Sequence, residues 1–224
     1  MKRFVTVALH HEVLPVWAEY RRSRSAAPDV LTLDFHTDVL SCLRRGVPAP
    51  DGAVWRDPAA VEAAVRVLRH DEHLDWALRG GLIRRAVVVA FAPCAAPPEH
   101  PGLTVRRFPG VPGLTELINS PEVFRECAAR ALTDRVLTAV LPEGLPEPGF
   151  ILDIDCDVVP CRRALEPGAH GVFDALIRRA GLVTLSREDD WVRVLRPPGE
   201  ELTGAEIARI LETYGTYVAS ASDC

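Results

Sequence analysis

The sequence predicts a three-layer α/β/α fold with a mostly parallel sheet in the middle layer. Apolar, β-branched segments typical of strands alternate along the chain with amphipathic segments typical of helices, and this alternation is the pattern of parallel sheets. The length of 224 residues suits one domain with a large core. We therefore expect a single domain over residues 1–224, with ligands bound at the carboxyl ends of the strands.

The individual elements are predicted from apolar periodicity and turn residues. Strands are predicted at 4–9, 30–35, 86–91, 103–108, 136–140, 150–155 and 182–186, and residues 191–195 are interpreted as a hairpin partner of the last strand. Helices are predicted at 13–22, in a segment that ends near 45, and at 59–69, 71–80, 123–132, 169–180 and 204–219. Pro58 and the segment Ser120-Pro121-Glu122 mark two of the helix starts.

Composition argues against several classes of partner. The net charge is −5 and no basic stripe with interleaved aromatic residues occurs, which disfavours nucleic acid. No apolar run reaches the roughly 18 residues of a membrane span, and the N-terminal apolar stretch is too short for a signal peptide. The six cysteines show no Cys-x-x-Cys spacing, which is typical of reduced thiols. We expect a cytoplasmic protein with no nucleic-acid or membrane partner.

The first functional signal is the segment in which an apolar run, 30–33, changes abruptly to Asp34-Phe-His36-Thr-Asp38. Alternate residues of an extended chain point the same way, so Asp34, His36 and Asp38 can converge on one point. Two carboxylates held together repel each other unless a cation lies between them. The alternative is a polar strand end in which Asp38 caps a following helix.

A second predicted strand carries Asp153, Asp155 and Asp157 at alternate positions, with apolar residues between them and no Lys or Arg interleaved. Buried carboxylates without partners are costly, so this spacing favours metal ligands over an edge strand with one solvated face. Two such strands in one chain indicate a shared site. With His10 after the first strand, the set is rich in carboxylates, which suits Mn²⁺ better than Zn²⁺. Two imidazoles, His10 and His36, and four carboxylates, Asp34, Asp38, Asp153 and Asp155, give six ligands, which indicates two ions that activate water.

These segments resemble the metal motifs of the ureohydrolase superfamily of arginases and agmatinases. The corresponding segments are Leu9-His10, Asp34-Phe-His36-Thr-Asp38 and Ile151-Leu-Asp153-Ile-Asp155. One branch of the superfamily has similar sequences around the segment His10-His11-Glu12-Val-Leu-Pro15 and Trp17. This branch includes the peptide arginases, which convert arginine side chains of ribosomally made precursor peptides to ornithine. Three features depart from the arginase pattern: Gly-Gly-Asp-His-Ser is absent, Ile151 replaces a serine, and no Asp-Pro follows Asp155 at the expected place.

The resemblance implies an arginase/deacetylase-like fold and an enzyme that hydrolyses linear amidine C–N bonds. It implies two Mn²⁺ ions per chain, an arginine-containing peptide as partner, and release of urea and ornithine. Asp38 would accept the proton of the attacking water, and Asp153 would bridge the ions. The implied metal ligands are His10, Asp34, His36, Asp38, Asp153 and Asp155.

Weaker signals supply the remaining catalytic residues. His70 and His73 can shuttle protons, or they can belong to a solvated helix face. Glu188, with its acidic neighbours Asp189 and Asp190, can hold a guanidinium or form a plain acidic turn. We predict Asp38, His73 and Glu188 as catalytic residues, and His10 over His11 as the ligand. The alternatives are another C–N hydrolase of the same fold, agmatinase- or deacetylase-like, and a pseudoenzyme that only binds metal or peptide.

Overall fold

A computed structural model describes residues 2–92, 99–166 and 170–221 of the chain. Its six strands form one sheet in which every pair of neighbours is parallel, so the α/β prediction is confirmed. The spatial order is β1-β6-β5-β2-β3-β4. The strands are β1 (Phe4–Val7), β2 (Asp29–His36), β3 (Arg85–Ala92), β4 (Leu103–Arg107), β5 (Ile151–Asp155) and β6 (Leu182–Ser186).

Helices cover both faces of this sheet, because successive residues of each central strand enter different cores. On β2, Val30 packs in one core with the first three helices, while Leu31 and Leu33 pack in the other core with the later ones. The helices are α1 (Leu14–Arg22), α2 (Pro58–Val65), α3 (His73–Arg79), α4 (Leu114–Asn119), α5 (Pro121–Ala128), α6 (Asp134–Val140), α7 (Gly171–Arg179), α8 (Asp189–Leu195) and α9 (Gly204–Ser220).

Two predicted strands are helices instead. Residues 136–140 belong to α6, in which Leu137 and Val140, three positions apart, share the buried face. Residues 191–195 belong to α8, which buries Val192 and leaves Val194 exposed, so there is no hairpin partner for β6 here. In both cases β-branched residues favoured a strand, and the core that surrounds them selects a helix.

Other boundaries differ by a turn or less. The segment expected to be helical as far as residue 45 contains only a short 3-10 helix, Cys42–Arg45. The helix predicted at 71–80 begins as a 3-10 helix, His70–Glu72, and continues as α3. Four cysteines are free and buried, Cys42, Cys127, Cys156 and Cys161, while Cys94 and Cys224 lie outside the described residues. None of the helices in the described ranges is both long and apolar enough to cross a membrane.

The order of the strands brings the predicted site together. The strands β1, β6, β5 and β2 are consecutive neighbours, and the four segments that carry acidic residues or histidine follow them or lie on them. Leu33 is paired with Ile154, so Asp34 and Asp155 occupy adjacent positions at the carboxyl ends of β2 and β5. Ligand sites of parallel sheets form at this edge.

The start of α9 offers a test of this packing. A Cβ at Gly204 would collide with the carbonyl oxygen of Arg187, a backbone atom that cannot rotate away. We expect Gly204→Ala to cost about 1–3 kcal/mol, as overpacking does, and to lower Tm by roughly 2 to 12 °C in thermal denaturation. Gly52→Ala is the control, because a Cβ there meets nothing within 4 Å. Equal Tm values for the two variants would contradict this packing.

Candidate metal centre

His10 lies at the centre of an acidic cluster at the carboxyl ends of β1, β6, β5 and β2. It opens a 3-10 helix, His10–Val13, directly after β1. Two carboxylates fix this backbone: Glu12 accepts hydrogen bonds from the amides of Ala8 (2.9 Å) and Leu9 (3.0 Å). Glu188 accepts one from the amide of His10 at 2.7 Å. The turn that presents the His10 ring is therefore held from both sides.

The two nitrogens of the buried His10 ring face different carboxylates. Nδ1 lies 2.9 Å from Asp38 Oδ2, 3.3 Å from Asp155 Oδ2 and 3.7 Å from Asp34 Oδ2. Nε2 lies 2.7 Å from Asp153 Oδ2. Burial lowers the pKa of His10, but the surrounding carboxylates, Asp153 above all, outweigh burial and hold it well above its ordinary value. In this state the imidazolium takes the place that a cation would fill.

The described side chains form three groups of potential ligands, and two of these groups share Asp34. One group contains His10, Asp34, Asp38 and Asp155, and the other contains Asp34, His36 and Asp157. Within each group the ligand atoms lie within 4.8 Å of one another. A carboxylate common to two adjacent groups is the arrangement expected of a bridged pair of ions. Five of the six predicted ligands are thus brought together.

Asp157 completes the second group, although the sequence motif stopped at Asp155. Its carboxylate accepts a hydrogen bond from the amide of Phe35 (3.1 Å), and Oδ2 lies 3.3 Å from His36 Nδ1. Asp157 follows β5 in a 3-10 helix, Cys156–Val158. The spacing of acidic residues at 153, 155 and 157 was the sequence signal for Asp157. We aligned the family motif to Asp153 and Asp155, two residues too early to include Asp157.

Asp153, the sixth predicted ligand, lies in neither group and contacts the far side of the His10 ring. The hydroxyl of Thr184 donates to its Oδ1 at 2.6 Å, and that of Thr32 to its Oδ2 at 3.2 Å. Burial raises the pKa of Asp153, but His10 and the Thr184 hydroxyl outweigh burial and lower it. A carboxylate behind a ligating histidine fixes its ring and tautomer in many metal sites, and this position suits that role.

The chemistry of the cluster fits a divalent cation. Asp34 Oδ2 and Asp157 Oδ2 are buried and form no hydrogen bond with the described residues. Burial and the repulsion of neighbouring carboxylates raise the pKa of both Asp34 and Asp155 well above the ordinary range. In the described part of the chain, the ion pairs of these carboxylates are all with histidines. Oxygen and imidazole donors of this kind suit Mn²⁺.

Backbone strain is concentrated at the same place. Among the described non-glycine residues, Asp38 (φ 44°) and Glu188 (φ 38°) have positive φ. Such conformations cost on the order of 1–3 kcal/mol and persist where the surroundings enforce them, commonly at functional sites. Asp38 does not cap a helix, because the next one, Cys42–Arg45, is capped by Ser41. The conformation of Asp38 directs its carboxylate to His10.

His73, predicted to be catalytic, is fully buried beside His10, so the interpretation of a solvated face is wrong for it. Its Nδ1 donates to the carbonyl of His70 at 2.7 Å, and its Nε2 has no hydrogen-bond partner among the described residues. The ring centroids of His73 and His10 are 4.3 Å apart, and His73 forms a further potential ligand group with His10 and Asp38. Burial lowers the pKa of His73 to about 3. His73 is therefore neutral, and its Nε2 can only accept a hydrogen bond.

Glu188 is also buried, so it is not a plain acidic turn. Its Oε1 holds the His10 amide and lies 3.9 Å from His70 Nδ1, and burial raises its pKa. Its neighbour Asp190 is exposed and pairs with Arg193 at 2.9 Å. His11 is nearly buried, its Nδ1 is unpartnered among the described residues, and it belongs to none of the ligand groups.

The fold and the site define a class, a parallel α/β protein with a buried cluster of aspartate and histidine side chains that could hold metal. No family model matches the chain, and no curated protein does. Proclavaminate amidino hydrolase from Streptomyces clavuligerus is similar in structure at 12% identity and a TM-score of 0.46, over 97% of this chain and 63% of that one. Formimidoylglutamase from Bacillus subtilis subsp. subtilis str. 168 is similar at 9% identity and a TM-score of 0.46, over 96% and 60%.

This chain thus spans somewhat less than two thirds of the length of both matched proteins. These identities and TM-scores are too low to assign a family or an activity. The chemistry of this protein follows from the aspartate and histidine side chains of its own site.

Measuring bound metal in two variants can decide whether His10 or His11 is the ligand. We expect His10→Ala to lose bound Mn²⁺, because the ring faces the shared carboxylate cluster, and His11→Ala to keep it. The measurement is elemental analysis of protein loaded with Mn²⁺ and passed through a desalting column. Equal retention by both variants would remove His10 from the ligand set.

The two acids of β5 and its following turn offer a second comparison. We expect Asp157→Ala to lose one of two ions, because His36 and Asp34 then remain alone in their group. Asp153→Asn should keep both ions with affinity weakened on the order of 10- to 100-fold, since it acts through His10. Titration of the metal by calorimetry separates stoichiometry from affinity. Loss of an ion in Asp153→Asn alone would restore Asp153 as a ligand.

Proposed function

We propose that this protein is a binuclear Mn²⁺-dependent hydrolase that cleaves the guanidinium of an arginine side chain in a peptide to ornithine and urea. The observation that carries the proposal is the pair of buried ligand groups that share Asp34. Carboxylates and imidazoles arranged in this way suit two hard or borderline cations held close together. The three ordered sequence motifs that resemble ureohydrolases support the choice of reaction.

The residues that would hold the ions follow from the two groups. His10, Asp38 and Asp155 belong to one site, His36 and Asp157 belong to the other, and Asp34 is common to both. When bound, two such ions supply Lewis acidity and lower the pKa of water into the neutral range.

Two side chains beside His10, Asp38 and His73, contact the groups that exchange protons or hydrogen bonds in this site. Burial raises the pKa of Asp38, but its hydrogen bond to His10 outweighs burial and lowers it, so Asp38 is ionised and can accept a proton at a carboxylate oxygen. The unpartnered Nε2 of His73 can accept a hydrogen bond in the same group, with its tautomer fixed by the His70 carbonyl, while its low pKa leaves Asp38 as the proton acceptor. Both groups are buried, which excludes bulk water from the protons they exchange.

Glu188 supplies the group that orients the substrate. A guanidinium is planar and cationic, and a carboxylate binds it through charge-assisted hydrogen bonds. Glu188 is buried beside the cluster, where its carboxylate accepts the hydrogen bond from the His10 amide. Its strained backbone donates a hydrogen bond to the carbonyl of Ala8 at 3.1 Å. A bound cation would also favour the ionised form of Glu188, whose pKa burial otherwise raises.

An arginine within a peptide is favoured over free arginine by the apolar surroundings of the site. Leu9, which immediately precedes His10, and Trp191, whose ring contacts His36, are both exposed. The residues that flank an arginine in a peptide can pack on these two side chains, a contact that free arginine cannot make. The resemblance to the peptide arginase branch points the same way.

Urea release is the direct test. Protein loaded with Mn²⁺ should release urea from an arginine-containing peptide faster than from free arginine or agmatine, and should release no acetate from an acetyl-lysine peptide. Chelation should abolish release, and added Mn²⁺ should restore it. A colorimetric urea assay and mass spectrometry of the peptide give two independent readouts. Each conversion of arginine to ornithine makes the peptide about 42 Da lighter, through the net loss of CN₂H₂.

The alternatives give distinct results in this assay. Release of acetate would indicate a deacetylase-like hydrolase, and a preference for agmatine would indicate an agmatinase-like one. Binding of metal and peptide without any product would indicate a pseudoenzyme. Each of these outcomes contradicts the proposed reaction.

A further inference from the structure

The exposure of the site residues shows where a ligand can enter. Asp34, Asp155 and Asp157 are almost completely buried, whereas the side chains of His36 and His70 are 32% and 30% exposed. Solvent therefore reaches the cluster from the side on which these two histidines lie. A substrate that contacts the buried carboxylates passes between or beside the two rings.

Trp191 lies at this opening and contacts both histidines. Its ring centroid is 4.7 Å from that of His36 and 6.1 Å from that of His70. Trp191 is 36% exposed, although it belongs to α8, which is anchored in the core by the fully buried Val192. A large aromatic ring that is left partly in water beside a polar site is available to a ligand.

Among the described residues, no side-chain cation is recorded over the ring of Trp191. The ring of Trp55, by comparison, is covered by the guanidinium groups of Arg21 and Arg56 at 4.1 and 5.0 Å from its centroid. Within residues 2–92, 99–166 and 170–221, no arginine or lysine lies over Trp191 in this way. Glu188 lies three residues earlier in the chain and beside His70, so negative charge adjoins the aromatic surface.

We propose that Trp191 and His70 form an aromatic wall that binds the planar cationic side chain on its way to Glu188 and the acidic cluster. This inference rests on the proposed arginine substrate and adds its entrance subsite. A guanidinium stacks on an indole face through cation–π attraction and dispersion, and its methylene stem packs on the same surface. Trp191 is then a residue that determines specificity for a flat cation, without taking part in bond cleavage.

Direct binding tests the wall without requiring turnover. Calorimetry with protein whose metal has been removed by chelation, so that no turnover occurs, compares a short peptide containing one arginine with the same peptide containing citrulline, which is planar but neutral. We expect Trp191→Ala to weaken arginine-peptide binding about 2- to 30-fold, the range of a cation–π contact, with little change for citrulline. Trp191→Phe should recover most of the affinity, and the Mn²⁺ content of all variants should equal that of the wild type.

Val194→Ala is the matched control, because Val194 is on the same helix, is more exposed, at 68%, and has no aromatic ring on which a guanidinium can stack. Wild-type affinity in Trp191→Ala would overturn the inference. So would an equal loss in Val194→Ala, or an equal loss for arginine and citrulline peptides. Failure of the wild-type protein to bind either peptide would overturn it as well.

The two proposals fail separately in these experiments. Arginine-peptide binding that depends on Trp191 without any release of urea would support the aromatic wall and overturn the hydrolase. Urea release with the same KM and kcat in wild type and Trp191→Ala would support the hydrolase and overturn the wall. A rise in KM with little change in kcat in Trp191→Ala would support both.

Discussion

Repulsion among buried carboxylates is the constraint on which the site depends. Asp34, Asp38, Asp155 and Asp157 converge at one edge of the sheet, where water cannot screen their charges. The chain by itself relieves this in two ways: the raised pKa values of Asp34 and Asp155 favour their neutral forms, and His10 supplies a positive charge between the acids. Both responses are substitutes for a bound cation, which would remove the repulsion directly and release those protons.

The rest of the fold places and holds these groups. Parallel pairing of β2 with β5 puts Asp34 beside Asp155, and pairing of β5 with β6 puts the hydroxyl of Thr184 on Asp153, which in turn contacts His10. Rigid strands therefore determine the positions of the charged atoms, while the strained residues Asp38 and Glu188 turn their side chains inward from the loops. The strained backbone of these two residues lowers the free energy of unfolding, and burial of apolar side chains in the cores on both sides of the sheet offsets this cost.

The sequence was sufficient to predict the fold class, six strands of the sheet, and five of the ligand-group residues, because alternation of apolar and acidic residues is a local property. Asp157 was recognised as one of three alternating acids but was left out of the predicted ligand set, because that set followed the family motif, which was aligned to Asp153 and Asp155. The burial of His73 also could not be predicted: its ring meets His10 only after α3 packs against the site, across 63 positions of sequence. Such contacts depend on tertiary packing, about which local periodicity carries no information.

The error at residues 191–195 concerned function as well as secondary structure. With a strand at 191–195, Glu188 would lie in the turn before it, and the strand would not fix the direction of Glu188 relative to Trp191. In the observed structure Glu188 immediately precedes α8, and a spacing of three residues across one helical turn allows both side chains to face the same side. The contacts agree, since Glu188 Oε1 lies near His70 Nδ1 and the Trp191 ring lies near the same imidazole. A single helical turn thus unites a carboxylate and an aromatic face, the two surfaces that a guanidinium binds.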